Sequence, residues 1–106
     1  MNGQEFKKLF GLQVKKYRIK NKLSQEELAE VIEKSQRQIS LIELGKSFPS
    51  PDTITSLVSA LNCDLSELFG FSNYKKDDVM RKELKNLIET CSEDKIKILY
   101  TISQCL

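Results

Sequence analysis

The 106-residue chain has no histidine and no tryptophan, and only two prolines, four glycines and three cysteines. Without histidine there is no Cys/His zinc finger, no Ser-His-Asp triad, no Cys-His dyad and no His-based metal site. Cys63, Cys91 and Cys105 stand 28 and 14 residues apart with no CxxC pair. An odd count without ligand spacing fits a reducing compartment rather than a disulfide framework or a metal site. Long apolar runs are missing too. The longest, Ile98-Leu99-Tyr100, falls far short of the ~20 residues that span a bilayer. The N-terminus alternates charged and apolar residues too quickly for a signal peptide. These absences predict a cytoplasmic protein with no metal, no cofactor and no membrane partner. With no Gly-rich phosphate loop and no evident carboxylate pair, they also predict a non-enzyme. The length allows one domain of roughly 100–150 residues rather than two independent ones.

Net charge is small, +2, but unevenly placed. Residues 1–50 carry ten basic and six acidic side chains, whereas residues 51–106 carry seven basic and nine acidic. A basic front half points to a polyanion-facing surface there.

Strand signals are nearly absent and helix signals are dense. Phe6, Phe10, Val14 and Tyr17 recur at helical spacing on a first helix that Asn21-Lys22 ends. Ser24-x-x-Glu27 reads as a capping box opening a second helix, with Leu28, Val31 and Ile32 on its inner face. Glu33 and Lys34 separate it from another box, Ser35-x-x-Gln38, which opens a third helix. Ile39 and Ile42 form the inner stripe of that helix, and Gly45 supplies the left-handed residue that stops it. Ser50 and Pro51 mark the cap and first position of a fourth helix bearing Ile54, Leu57, Val58 and Leu61. Asp64-x-x-Glu67 opens a short fifth helix with Leu65, Leu68 and Phe69. Two short helices across a tight turn form a helix-turn-helix pattern. Beyond Gly70, residues 72–77 read as a polar linker. Met80, Leu84, Leu87, Ile88 and Cys91, then Ile96, Leu99, Ile102 and Leu106, give each arm of a C-terminal hairpin one apolar face. A hairpin of this kind must cover its faces with the domain body or a second copy.

The run Leu23-Ser-Gln-Glu-Glu-Leu-Ala, followed by Ser35-Gln-Arg-Gln-Ile-Ser-Leu-Ile-Glu-Leu-Gly-Lys46, resembles the phage repressor/Cro-type (XRE) helix-turn-helix family. Phe10-Gly11, Val14, Tyr17-Arg18, Pro51, Leu57, Leu61 and Leu68-Phe69 extend the likeness over about residues 10–69. The resemblance implies an all-α fold, a five-helix repressor-like DNA-binding domain over 1–72 followed by the two-helix hairpin over 73–106. It also implies a dimeric transcriptional regulator, most simply a repressor, on a double-stranded operator.

With Ile39 and Ile42 inward, Gln36, Arg37, Ser40 and Leu41 project to the other side near the helix start, where a recognition helix meets base edges. Gln suits adenine, Arg suits guanine, and Leu suits a thymine methyl. Gln25 and Ser35, at helix starts, and Lys34 and Lys46, beside the third helix, are the expected phosphate contacts. The family pattern pairs Arg18 with Glu43 as a structural ion pair. Leu84, Leu87, Ile88, Ile96, Leu99 and Ile102 are the expected dimerisation or partner-binding residues. Three positions depart from the family pattern: Glu33 replaces a usual Gly, Lys34 an apolar residue, and Leu44 a usual polar one. A glutamate is costly in a left-handed conformation, so a locally altered turn is expected. The alternative is a protein-interaction switch or antitoxin-like module, in which the hairpin binds a regulatory protein; Leu41 and Leu44 on a wet face favour it.

Overall fold

Side chains that satisfy orphan backbone groups set the helix starts in the computed structural model, which describes residues 1–73 and 77–105. Asn2 caps α1 (Gly3–Lys20), Ser24 caps α2 (Gln25–Val31), Ser35 caps α3 (Gln36–Glu43), Ser50 caps α4 (Pro51–Ala60) and Asp64 caps α5 (Leu65–Leu68). The caps of α2, α3 and α5 are full reciprocal boxes. In α2, Glu27 N donates to Ser24 Oγ at 3.0 Å and Ser24 N donates to Glu27 Oε1 at 2.9 Å. Hydrogen bonds from the Ser24 backbone and hydroxyl hold the Glu27 carboxyl below its ordinary pKa. The Ser66 hydroxyl, then the Glu67 backbone N–H, do the same for Asp64.

Helix ends follow one rule with four different residues. In α1, α2, α3 and α4 the last turn closes with two backbone bonds around a left-handed residue: Lys22 (φ 58°), Glu33 (φ 57°), Gly45 (φ 74°) and Asn62 (φ 52°) respectively. For α2, Lys34 N donates to Ala29 O at 2.8 Å and Glu33 N to Glu30 O at 3.2 Å. This is the paired Schellman pattern, which satisfies two of the last carbonyls of the helix and turns the chain sharply. The expectation that Glu33 would alter this turn is therefore wrong. The turn keeps its left-handed geometry and Glu33 bears the strain, because two closing hydrogen bonds and the buried Ile32 fix the path.

The chain divides after Asn73 into two units, Met1–Asn73 and Tyr74–Leu106. The first packs α1–α5 and a 3-10 turn, Gly70–Asn73, around one core. Phe10, Val14 and Tyr17 from α1 meet Leu28, Ala29 and Ile32 at α2, Ile39 and Ile42 from α3, and Leu57, Leu61 and Leu68 from the later helices. Val31 does not join them and is 60% exposed. At 100° per residue it lies about 100° around the helix from the centre of the Leu28–Ala29–Ile32 stripe, and Ala29 takes the inner place instead. The core also runs past Gly70, because Phe71 is 1% exposed. All five phenylalanines of the chain meet at this end. Phe10 lies 4.9 Å from Phe48 and 5.1 Å from Phe69, and Phe6 lies 5.3 Å from Phe71, by ring centroids. Asn21 ties the other end, donating from Nδ2 to the carbonyls of Tyr17 and Leu61 at 2.7 Å each.

The second unit contains α6 (Asp77–Thr90) and α7 (Glu93–Ser103), the latter capped by Ser92. Neither helix contains a buried residue. Residues 74–76 of the expected linker, and Leu106 of the expected apolar face, lie outside the described residues. Among the described residues no helix is long and apolar enough to cross a membrane.

Because Glu33 sits in a region that costs an L-residue roughly 1–2 kcal/mol, Glu33→Gly stabilises the protein by up to about 1 kcal/mol after the added unfolded-chain entropy. Urea unfolding checks this; a lower midpoint in the glycine variant contradicts it.

Candidate nucleic-acid interface

The eight residues of α3 divide into an anchored face and an open one. Ile39 and Ile42 are buried in the core, while Gln36 and Arg37 in the first turn are exposed and Ser40 and Leu41 are half-buried. The helix thus presents its N-terminal end and secures its C-terminal end.

That C-terminal anchorage is built from three contacts. Gly11 lets α1 lie directly on the last turn of α3: a Cβ there would stand 2.3 Å from the Ile42 carbonyl oxygen and 2.6 Å from that of Glu43. Gly45, just past α3, is also tight, since a Cβ there would meet Lys8 Cα at 2.8 Å. Next to this seam Glu43, the last residue of α3, forms a two-pronged ion pair with Arg18. Arg18 Nε donates to Oε2 at 2.7 Å and Nη2 to Oε1 at 3.0 Å. The two side chains are 11% and 4% exposed. The remaining guanidinium arm, Nη1, donates to Leu23 O at 2.9 Å. The hydrogen bonds from Arg18 to Glu43 raise the guanidinium pKa further and keep Arg18 charged. The third contact is Gln25, whose Nε2 donates to Glu43 Oε1 at 3.1 Å. Among the described residues no buried side-chain polar atom lacks a partner, as a low-dielectric site requires.

The expected contact residues fall into two groups. Gln36, Arg37, Ser40 and Leu41 share the open side of α3, with Lys34 exposed in the turn before it and Lys46 exposed just after Gly45. Ser35 and Gln25 bond to other groups of the protein, Ser35 at the surface and Gln25 half-buried. Ser35 Oγ accepts from Gln38 N at 3.1 Å and donates to Gln38 Oε1 at 3.2 Å, while Ser35 N donates to that same oxygen at 2.9 Å. Gln25 is half-buried against Glu43. The structure also brings Ser47, Phe48, Ser50 and Thr53 into one shallow depression with Lys34 and Gln38. Apart from the cap at Ser50, these residues carry no local signal of a site; their return beside α3 forms the depression. Leu44 is exposed, whereas Leu41 is partly covered. The hairpin residues Leu84, Leu87, Ile88 and Ile102 are exposed, and Ile96 and Leu99 are half-buried. Ile88, Ile96, Leu99 and Tyr100 line one apolar depression.

A short helix with an open polar first turn, locked by its other face against a second short helix across a tight turn, defines a helix-turn-helix DNA-binding unit. The helix-turn-helix family HTH_3 matches residues 14–68, just over half of the chain. The chain belongs to that family, and so to the DNA-binding transcriptional regulators rather than to an enzyme class. No curated protein matches it in sequence. Among solved structures, an HTH_3-family transcriptional regulator from Vibrio cholerae is similar at 28% identity and a TM-score of 0.60, over 65% of this chain and 39% of that one. The apo form of ComR from S. thermophilus is similar at 29% identity and a TM-score of 0.56, over 90% of this chain and 34% of that one. This chain therefore spans only about a third to two-fifths of those two proteins. The clp gene regulator ClgR from C. glutamicum, at 22% identity and a TM-score of 0.58 over 60% of this chain and 82% of that one, shares the fold.

Removing one partner of a buried ion pair strands the other charge, at a cost of about 3–5 kcal/mol. Arg18→Ala or Glu43→Ala therefore destabilises the protein by that order in urea unfolding, and Gly11→Ala by roughly 1–3 kcal/mol through overpacking. Changes under 0.5 kcal/mol in either would contradict the anchorage described.

Proposed function

We propose that the protein is a sequence-specific, cytoplasmic repressor that binds double-stranded DNA as a homodimer, with α3 in the major groove of each half of a pseudo-palindromic operator. The observation that carries this reading is the pairing of an open, polar N-terminal turn on α3 with a buried ionic anchor at its other end. Gln36 and Arg37 are the leading base-reading residues: a glutamine matches the N6/N7 edge of adenine and an arginine the O6/N7 edge of guanine. Ser40 is suited to a further polar contact and Leu41 to a thymine methyl. Lys34 and Lys46 flank the helix and supply phosphate contacts that set register without reading sequence. Gln25 adds a backbone N–H group at the start of α2, and Ser35, whose own N–H is bonded to Gln38 Oε1, caps the start of α3; helix starts are the usual place for a phosphate.

Two copies are needed to present two recognition helices one turn of DNA apart, about 34–36 Å. The exposed and half-buried leucines and isoleucines of α6 and α7 supply the surface for that pairing, since apolar faces of this kind are otherwise left to water. Their residues are Leu84, Leu87, Ile88, Ile96, Leu99 and Ile102. A second reading, in which the same helices bind a regulatory protein, is favoured by the 57% exposure of Leu44 beside the reading face.

Selection of bound duplexes from a random pool should yield a two-fold related sequence; retention of random and selected DNA alike would remove the proposal. On the selected operator, Gln36→Ala or Arg37→Ala lowers affinity roughly 5- to 150-fold, corresponding to about 1–3 kcal/mol per bidentate contact, with little change on random DNA. Lys46→Ala instead weakens binding to both and reduces the salt slope by about one. Leu84→Asp and Leu87→Asp convert a dimer to a monomer in sedimentation analysis. A wild-type monomer, or an unaltered dimer in both variants, contradicts the assignment of this face.

A further inference from the structure

We propose that the side chain of Gln25 is a positioning group that fixes the angle between α2 and α3, a role separate from any phosphate contact of its backbone N–H. The argument rests on the DNA-reading role given to α3 above. The turn at residues 32–35 joins the C-terminal end of α2 to the N-terminal end of α3. Gln25 and Glu43 are the first residue of one helix and the last of the other, so they occupy the two far ends of the V. A 3.1 Å hydrogen bond from Gln25 Nε2 to Glu43 Oε1 closes that open side. α2, α3 and the amide–carboxylate bond then form the three sides of a triangle with the turn at its apex.

The direction of the amide follows from its partner. Only the NH₂ end of a glutamine can face a carboxylate, because the oxygen end would oppose it. With that end committed inward, the side chain retains one N–H and a carbonyl oxygen that repels phosphate oxygens. The amide is thus better matched to Glu43 than to a nucleic-acid backbone. Glu43 is already fixed relative to α1 by Arg18 Nε and Nη2. Gln25 adds what Arg18 cannot, a direct tie from α2 to the same oxygen. Because α2 and α3 span only seven and eight residues, a small change in their angle moves the first turn of α3 against the groove floor. Sequence-specific contacts feel that displacement, whereas charge-driven binding to phosphates tolerates it.

Gln25→Met keeps side-chain length and removes the donor. Its affinity is compared with wild type on the selected operator and on a random duplex at the same salt concentration, below the melting temperature. The expected result is roughly a tenfold loss on the operator, the order of a hydrogen bond to a charged group, with random-duplex affinity held. Gln25→Glu, which sets two carboxylates together, lowers the operator-to-random ratio further. In a Glu43→Gln background, Gln25→Met adds no additional loss of that ratio. Equal losses on both duplexes would make Gln25 a phosphate contact. An unchanged ratio, with or without a lower melting temperature, would make the bond structural only. Either outcome overturns the proposal. If the wild-type protein itself shows no preference between operator and random duplex, the DNA-reading function fails instead.

Discussion

The ion pair between Arg18 and Glu43 is the constraint on which the arrangement of the first unit depends. Taking two charges out of water is costly, and the attraction between them offsets that cost only where geometry is good and the remaining donors are occupied. Here Arg18 meets both carboxylate oxygens and spends its third arm on Leu23 O, while Gln25 supplies another donor to Glu43. One carboxylate at the end of α3 is thereby tied to α1, to the α1–α2 connection and to α2. The close seam at Gly11 and Gly45 holds the backbone of the same region. A buried pair of this kind contributes less to net stability than to specifying one orientation, since apolar residues of similar volume could fill the space without demanding an angle. That orientation leaves the first turn of α3 open.

The other elements support that turn from behind. Ile39 and Ile42 bind α3 to a core shared with Phe10, Val14 and Leu28. Phe48, in the segment leaving α3, packs on Phe6 and Phe10 with centroids 5.6 and 4.9 Å away. The aromatic cluster thus fixes the path of the chain after α3, as the ion pair fixes its end. Left-handed residues at four successive helix ends let short helices reverse direction without loose loops, at a strain that Lys22, Glu33 and Asn62 accept and Gly45 does not incur.

Much of this was legible from local chemistry. Serines followed three residues later by Glu or Gln marked the starts of α2 and α3, Ser50-Pro51 marked α4, and Asp64 marked α5, because a cap is a contact between near neighbours. The Arg18–Glu43 pair, 25 residues apart, was reachable only through resemblance to a known family. Features set by distant packing were missed. Val31 follows an apolar spacing yet points outward, since which face turns inward is decided by the other helices. Phe71, just before the expected linker, carries no local core signal; its burial comes from packing on Phe6. Glu33 looked prohibitive in a left-handed turn, but two closing hydrogen bonds and the burial of Ile32 outweigh its preference. Gln25 was assigned outward from its place at a helix start, and its partner at Glu43 is a tertiary fact.

Helices α6 and α7 pose the complementary problem, with apolar residues spaced for burial and none of them buried. In the proposed function the first unit acts as the reader and α6–α7 as the surface that joins two readers. The central claim is that DNA meets the open first turn of α3 while its far end stays fixed. Titration of isotope-labelled protein with the selected operator duplex, followed by amide NMR shifts, tests it most directly. The account predicts the largest shifts at Gln36, Arg37 and Ser40, with smaller ones at Lys34 and Lys46 and little change at Arg18 and Gly11. Shifts concentrated on α6 and α7, with α3 unmoved, would contradict it.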